Sequence, residues 1–326
     1  MTELKERILA QVEPDLLQIN KALAENLDPK TALVEKVAGH ILFAGGKRLR
    51  PLLMVLGARL CNYQHNDIFT CAIMGEYLHA ATLLHDDLID GGELRRGRPA
   101  AHTVYGPEIA VLTGDFLLAR AIQMAAQTQN IAVVQTITAI TEAMSIGEID
   151  QLDHIGDSGL AEDQYMDIIR RKTAILFEGT CRCGALIADA PFDQVDALTT
   201  YGYHLGMAFQ IADDLLDYTA DSTTLGKKAG ADLREGKLTL PLIRALTAAS
   251  TTDREIMLKV INDPDFNTND LYRLIGVMEQ YGTLASSKQT AQMHVQKATA
   301  ALDVFPTGDL KTLLTDIAQY ALVRKL

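Results

Sequence analysis

No proline interrupts the chain between Pro107 and Pro191, nor between Pro191 and Pro241. Apolar residues recur at helical spacing through both intervals, and no segment alternates convincingly as a strand would. Start signals agree with a helical reading. Asn66-Asp67 opens a helix running to about Gly91, and Pro51 falls where an early helical proline is tolerated. Glycine-rich breaks fall at Gly45-Gly46, from Gly91-Gly92 through Gly97-Arg98-Pro99, and from Gly226 through Gly236. No Ser/Pro/Gly linker divides the sequence. Residues 1–326 therefore read as one all-α domain whose last part, from about Asp253, is a set of shorter helices.

Composition narrows the class of protein. Hydrophobic residues make up 48% and charged residues 22%, which suits a soluble chain with a sizeable core. The stretch from Met1 to Arg7 mixes charges and offers no signal-peptide core, and no apolar run approaches the ~18 residues of a membrane span. Cys61, Cys71, Cys181 and Cys183 are too few and too irregular for a disulfide framework. They read as buried thiols of a reducing cytoplasm. The formal net charge of −12 repels phosphates overall and argues against nucleic acid as a partner. Basic residues nevertheless cluster at Lys47-Arg48-Leu49-Arg50, Arg95-Arg96-Gly97-Arg98, Arg170-Arg171-Lys172 and Lys227-Lys228. An anionic ligand has to be held locally, against the global sign.

One short pattern occurs twice, as Asp86-Asp87-Leu88-Ile89-Asp90 and as Asp213-Asp214-Leu215-Leu216-Asp217. On a helix the first and fifth residues share a face, with the second about 100° round. Two carboxylates ~5 Å apart repel by roughly 3 kcal/mol at an effective dielectric near 20, a conflict that a divalent cation removes. All-carboxylate donors suit a hard ion, and magnesium with retained waters suits a phosphate ligand. Two such arrays facing each other would clamp one diphosphate and neutralise the charge that develops as it departs. Gly206, Gln210, Asp213 and Asp217 form one helical stripe; Gly75, His79, Thr82, Asp86 and Asp90 form another. Lys47 to Arg50 follow two glycines and lead into a helix, a natural anion-binding turn.

Taken in order, the motifs resemble the trans-isoprenyl diphosphate synthase family. They are Gly45-Gly46-Lys47-Arg48-Leu49-Arg50-Pro51, His79, Asp86 to Asp90, Arg95-Arg96-Gly97, Lys172-Thr173, Phe209 to Asp217, Leu225-Gly226-Lys227 and Gly236-Lys237. Beyond Pro241 only helical character is shared. The resemblance implies a large helical bundle of the isoprenoid synthase type with a central cavity, and a homodimer. It also implies a division of roles. Lys47, Arg50, His79 and Arg96 would hold isopentenyl diphosphate. Asp86, Asp90 and Asp213 would ligate magnesium on the allylic diphosphate, farnesyl or similar, with Asp87, Asp214 and Asp217 in support directly or through water. Arg95, Lys172, Lys227 and, more weakly, Lys237 would grip that diphosphate, while Thr173 and Gln210 would sit beside the allylic cation. The implied reaction is ionisation, condensation and elimination, with the released diphosphate taking the proton.

Product length should depend on the helix below Asp86. Thr82 lies about 6 Å and Leu78 about 12 Å down its axis. Ala81 occupies the position where short-chain members of the family often carry an aromatic plug. An alanine there leaves the floor open and points to long products, hexa- to decaprenyl, with a deeper floor around Met124 or Ile137 to Met144. Three other readings compete. A geranylgeranyl-type synthase could take its floor from another helix. A non-catalytic subunit of a heteromeric synthase should have lost carboxylates from one array, and both arrays are complete. A terpene cyclase would not need basic residues for a second diphosphate.

Overall fold

The computed structural model describes residues 2–29, 31–219 and 230–323. Its first half runs α1 (Thr2–Glu25), α2 (Ala32–Leu42), α3 (Leu49–Leu60) and α4 (Ile68–Ile89), then a hairpin of β1 (Leu94–Arg95) and β2 (Arg98–Pro99), then α5 (Ala101–Tyr105), α6 (Pro107–Gln127) and α7 (Ile131–Asp153). After α8 (Glu162–Ile169) comes a single π-helical turn, Arg170–Ala174, which leads directly into α9 (Ile175–Ile187) and the long α10 (Phe192–Thr219). The C-terminal part holds α11 (Ala231–Arg234), α12 (Leu240–Ala248), α13 (Thr251–Ile261), α14 (Thr268–Gln280), α15 (Thr283–Ala301) and α16 (Asp309–Val323). The fold is all-α, and the set of shorter helices beyond Asp253 is present.

Two expectations need amending. The hairpin was not foreseen, because it is only two residues per strand. Its register pairs Leu94 with Pro99 and Arg95 with Arg98, so Arg96 and Gly97 form a two-residue loop. Both have positive φ, 53° and 75°, the conformation that matches the twist of a tight hairpin. The second concerns α6, which by length and mean hydropathy is apolar enough to cross a membrane. Uninterrupted apolar runs were the wrong signal, since Asp115 and Arg120 break the run without lowering its average much. In the fold α6 packs on α4 and α7 and buries Ala110, Leu117 and Ala121.

α10 is the organising element. At 28 residues it extends about 42 Å and serves two hydrophobic clusters. Leu205 and Ala208 join the cluster built mainly from α1 to α9, while Met207, Ile211 and Tyr218 join one built from α8 and the C-terminal helices. α15 lies along α10 and contributes Val295 to the first cluster and Ala291 to the second. α9 packs against both α3 and α10. With α4 and α7 these helices leave a space between them.

Candidate active site

That space is a cavity of about 830 Å³. Lys47, Arg50, His79 and Arg96 line it, as do the carboxylates Asp86 and Asp213 and the trio Lys172, Thr173 and Gln210. Leu83, Met144, Ile149, Leu152, Phe177 and Phe209 supply apolar wall. Residues far apart in sequence thus meet at one surface that is part charged and polar, part apolar.

The basic group is held by residues that sequence reasoning passed over. Arg48, between the two assigned cations, takes a left-handed conformation with φ 49° and turns inward. It is 7% exposed, pairs with the buried Glu76 at 2.5 Å, and donates also to Asn20 Oδ1 and the Leu42 carbonyl. With its charge and donors met in this way, Arg48 anchors the turn that presents Lys47 and Arg50. The signal was available, since Glu76 lies one helical turn before His79 on α4. Arg50 lies over the Phe177 ring, 4.8 Å from its centroid, and Arg96 donates to the Gly45 carbonyl. Burial, with Arg50 and Arg96 close by, pushes the His79 pKa well below its ordinary value, so it enters the site as neutral imidazole.

The two aspartate arrays divide their labour. Asp86 and Asp213 reach the cavity. Asp87 is buried and ion-paired to Arg95 at 2.5 Å. Asp214 is buried and accepts from Tyr165 and Gln210. Asp217 accepts from the backbone of Ala231 and Asp232, capping the start of α11. Asp90 pairs with Lys237 at 3.1 Å, and Lys237 also bridges to Glu235 at 2.8 Å. Burial and the neighbouring Glu148 carboxylate push Asp86 up to about 7, against the opposing pull of Lys172. Glu148, also unforeseen, pairs with Lys172 at 2.5 Å from α7.

Among the described residues no three histidine, cysteine or carboxylate side chains converge closely enough to chelate an ion by themselves. The carboxylates Asp86 and Asp213 that face the cavity are nonetheless hard oxygen donors, and Asp86 is buried beside the Glu148 carboxylate. That set fits a divalent cation whose remaining ligands come from phosphate and water.

Lys172 and Thr173 sit in the π-helical turn, a feature frequent at functional sites. Close neighbours clamp it from both sides. A Cβ on Gly147 would stand 2.8 Å from the Lys172 nitrogen, and one on Gly206 would stand 2.6 Å from the Ala174 Cα. Both positions need glycine for close approach. Thr173 donates to Gln210 Oε1 at 2.9 Å. Lys227 lies outside the described residues, and Lys237 lines a smaller neighbouring cavity rather than the main one. Of the chain-length candidates, Thr82 lines the main cavity, whereas Leu78 and Ala81 are each 2% exposed within the core.

The comparisons with known proteins agree over the whole chain. The polyprenyl synthetase family model matches residues 31–278, well past Pro241, so the resemblance does not stop where the motifs do. Octaprenyl diphosphate synthase of Escherichia coli (strain K12) is 36% identical over 319 residues, covering 98% of each chain. The crystal structure of a decaprenyl diphosphate synthase from Rhodobacter capsulatus superposes with a TM-score of 0.92 at 37% identity, covering 98% of this chain and 99% of that one. A polyprenyl synthase from Caulobacter crescentus CB15, crystallised with calcium and isoprenyl diphosphate, gives a TM-score of 0.91 at 36% identity, with 98% of each chain covered. With residues from most of its motifs lining one cavity in this shared fold, the chain belongs to the polyprenyl synthetase family of trans-isoprenyl diphosphate synthases.

Proposed function

We propose that this chain, as one prenyl synthase domain over residues 1–326, extends an allylic diphosphate with isopentenyl diphosphate units to a long all-trans polyprenyl diphosphate. The observation that carries this reading is the joint lining of one cavity by Asp86 and Asp213, by a separate basic group, and by an apolar wall. The long-chain relatives support the product class over a geranylgeranyl-type product or a non-catalytic subunit. A divalent ion, magnesium in this reading, would be held by Asp86, Asp90 and Asp213 with Asp87, Asp214 and Asp217 in support, and would supply positive charge to the departing diphosphate.

The protein's own groups do the rest. Lys172, and in this reading Arg95, Lys227 and Lys237, stabilise charge on the allylic diphosphate. Lys47, Arg50, Arg96 and neutral His79 fix the second diphosphate, so that the isopentenyl double bond meets the ionising carbon. Phe177 and Phe209, with ring centroids 5.2 Å apart, help keep water from the cation, which would otherwise become an alcohol. The released diphosphate takes the proton.

Purified protein given magnesium, farnesyl diphosphate and labelled isopentenyl diphosphate should yield hexa- to decaprenyl products, and excess chelator should reduce turnover to background. Undiminished turnover in chelator would overturn the reading. A homodimer is also proposed: α6 and α7 leave Leu112 67% and Ile146 38% exposed, apolar side chains suited to a second copy. Light scattering should return twice the chain mass, and a single-chain mass at micromolar concentration would exclude it. Four free cysteines support the reducing cytoplasm as compartment.

A further inference from the structure

Three hydrogen bonds run in series from α8 to the reaction cavity. The Tyr165 hydroxyl donates to Asp214 Oδ2 at 2.5 Å, Gln210 Nε2 donates to Asp214 Oδ1 at 2.7 Å, and Thr173 Oγ1 donates to Gln210 Oε1 at 2.9 Å. Tyr165 and Asp214 are buried, 3% and 4% exposed. They line a separate cavity of about 150 Å³, whereas Thr173 and Gln210 line both that cavity and the main one. The series therefore links a residue outside the reaction cavity to two residues inside it.

Its polarity is set at the buried end. Both Asp214 oxygens accept, one from Tyr165 and one from Gln210. With Tyr165 donating to one oxygen of Asp214, Gln210 turns its amide hydrogens to the other, and its carbonyl is left facing Thr173. The Thr173 hydroxyl has one hydrogen, and that hydrogen goes to the carbonyl. Its lone pairs are then left for the cavity. Fixed lone pairs favour a developing cation without any reorganisation at the moment of reaction, while a hydroxyl hydrogen in the same place opposes it.

We infer that Tyr165 is a positioning residue for prenyl transfer, acting through Asp214 and Gln210 to keep the Thr173 lone pairs toward the reacting allylic carbon. This rests on the function proposed above. It gives Asp214 a task besides supporting a metal ion, and gives the fold a reason to hold Thr173 on a π-helical turn, where one extra residue re-aims a side chain.

Tyr165→Phe removes only the hydroxyl and keeps the packed ring. The expected result is a fall in kcat of about tenfold, in line with a lost electrostatic aid rather than a lost catalytic group. KM for both diphosphates and the metal concentration for half-maximal activity should stay within about twofold of wild type. A double-mutant cycle separates positioning from general loosening. In a Thr173→Val background, which has no hydroxyl to orient, Tyr165→Phe should cost less than about twofold. Should Tyr165→Phe fail to fold, Gln210→Met breaks the same series at its centre and should show the same non-additivity with Thr173→Val. Full kcat in Tyr165→Phe, equal losses in both backgrounds, or a raised metal requirement would each overturn the inference. A wild-type protein that transfers no prenyl group would instead remove the functional reading on which it stands.

Discussion

Asp213→Ala should lower kcat by about three orders of magnitude, ~4 kcal/mol of activation free energy, and Asp86→Ala by a similar factor, with the helical fold intact. Both carboxylates reach the cavity from different helices, α4 and α10, so neither can replace the other in drawing positive charge onto the departing diphosphate. Loss of a single preorganised electrostatic group commonly costs 10²–10³ in rate, and in the proposed function each aspartate would also help to hold a cation. The stability result should have the opposite sign for Asp86. Its pKa is raised on folding to about 7 by burial and by Glu148, from an unfolded value of roughly 4. A carboxyl shifted that way costs the fold stability progressively from about pH 4 to about pH 7, and fully above. In metal-free buffer at pH 8, Asp86→Ala should therefore melt no lower than wild type while having lost its activity. Single-turnover product formation and thermal melts measure the two quantities. Wild-type turnover in either variant would move the site elsewhere, and a markedly lower melting point for Asp86→Ala would contradict the electrostatic account.

How far the sequence disclosed this site depends on the range of the interaction. The arrays were legible because helical spacing alone aligns Asp86 with Asp90 and Asp213 with Asp217. The partners of their middle residues were not. Asp87 meets Arg95 only because Arg96 and Gly97 turn the chain back in a hairpin too short to show a strand pattern. Asp214 meets Tyr165, 49 positions earlier, only after α8 has packed against the C-terminal helices. The π-helical turn was hidden for a similar reason. Arg170 to Ala174 contains no glycine or proline, and the residues that permit it, Gly147 and Gly206, lie on α7 and α10. Arg48 read as one more cation of the anion-binding turn because its inward turn depends on a left-handed backbone and on Glu76 below it. Local periodicity revealed the helices and their active faces; tertiary pairing decided which charged groups stay available to a ligand.

Ala81→Phe should shorten the product from the hexa- to decaprenyl range by several isoprene units without abolishing catalysis. Thr82 and Asp86 mark the cavity face of α4. Ala81 sits about 100° round from Thr82 and more than one helical turn below Asp86, so an added ring there leaves the carboxylate array where it is. Ala81 and Leu78 are each 2% exposed, so a growing chain that descended along α4 would have to part the packing at this level as it lengthens. The small side chain at 81 makes that opening easy. A phenylalanine fills the volume that the chain end needs, and a well-packed wall yields to excess bulk only at about 1–3 kcal/mol. That penalty is repeated as a barrier at each further addition. The same bulk costs the resting fold something, so the melting point should drop by a few degrees. The two effects are separable by experiment. Reversed-phase chromatography of the dephosphorylated products reads the length distribution, and initial rates with a short allylic primer show whether the reaction centre is intact. A folded, active Ala81→Phe protein with the wild-type product ladder would mean that the hydrocarbon leaves along another wall, past Met144 and Ile149 on α7.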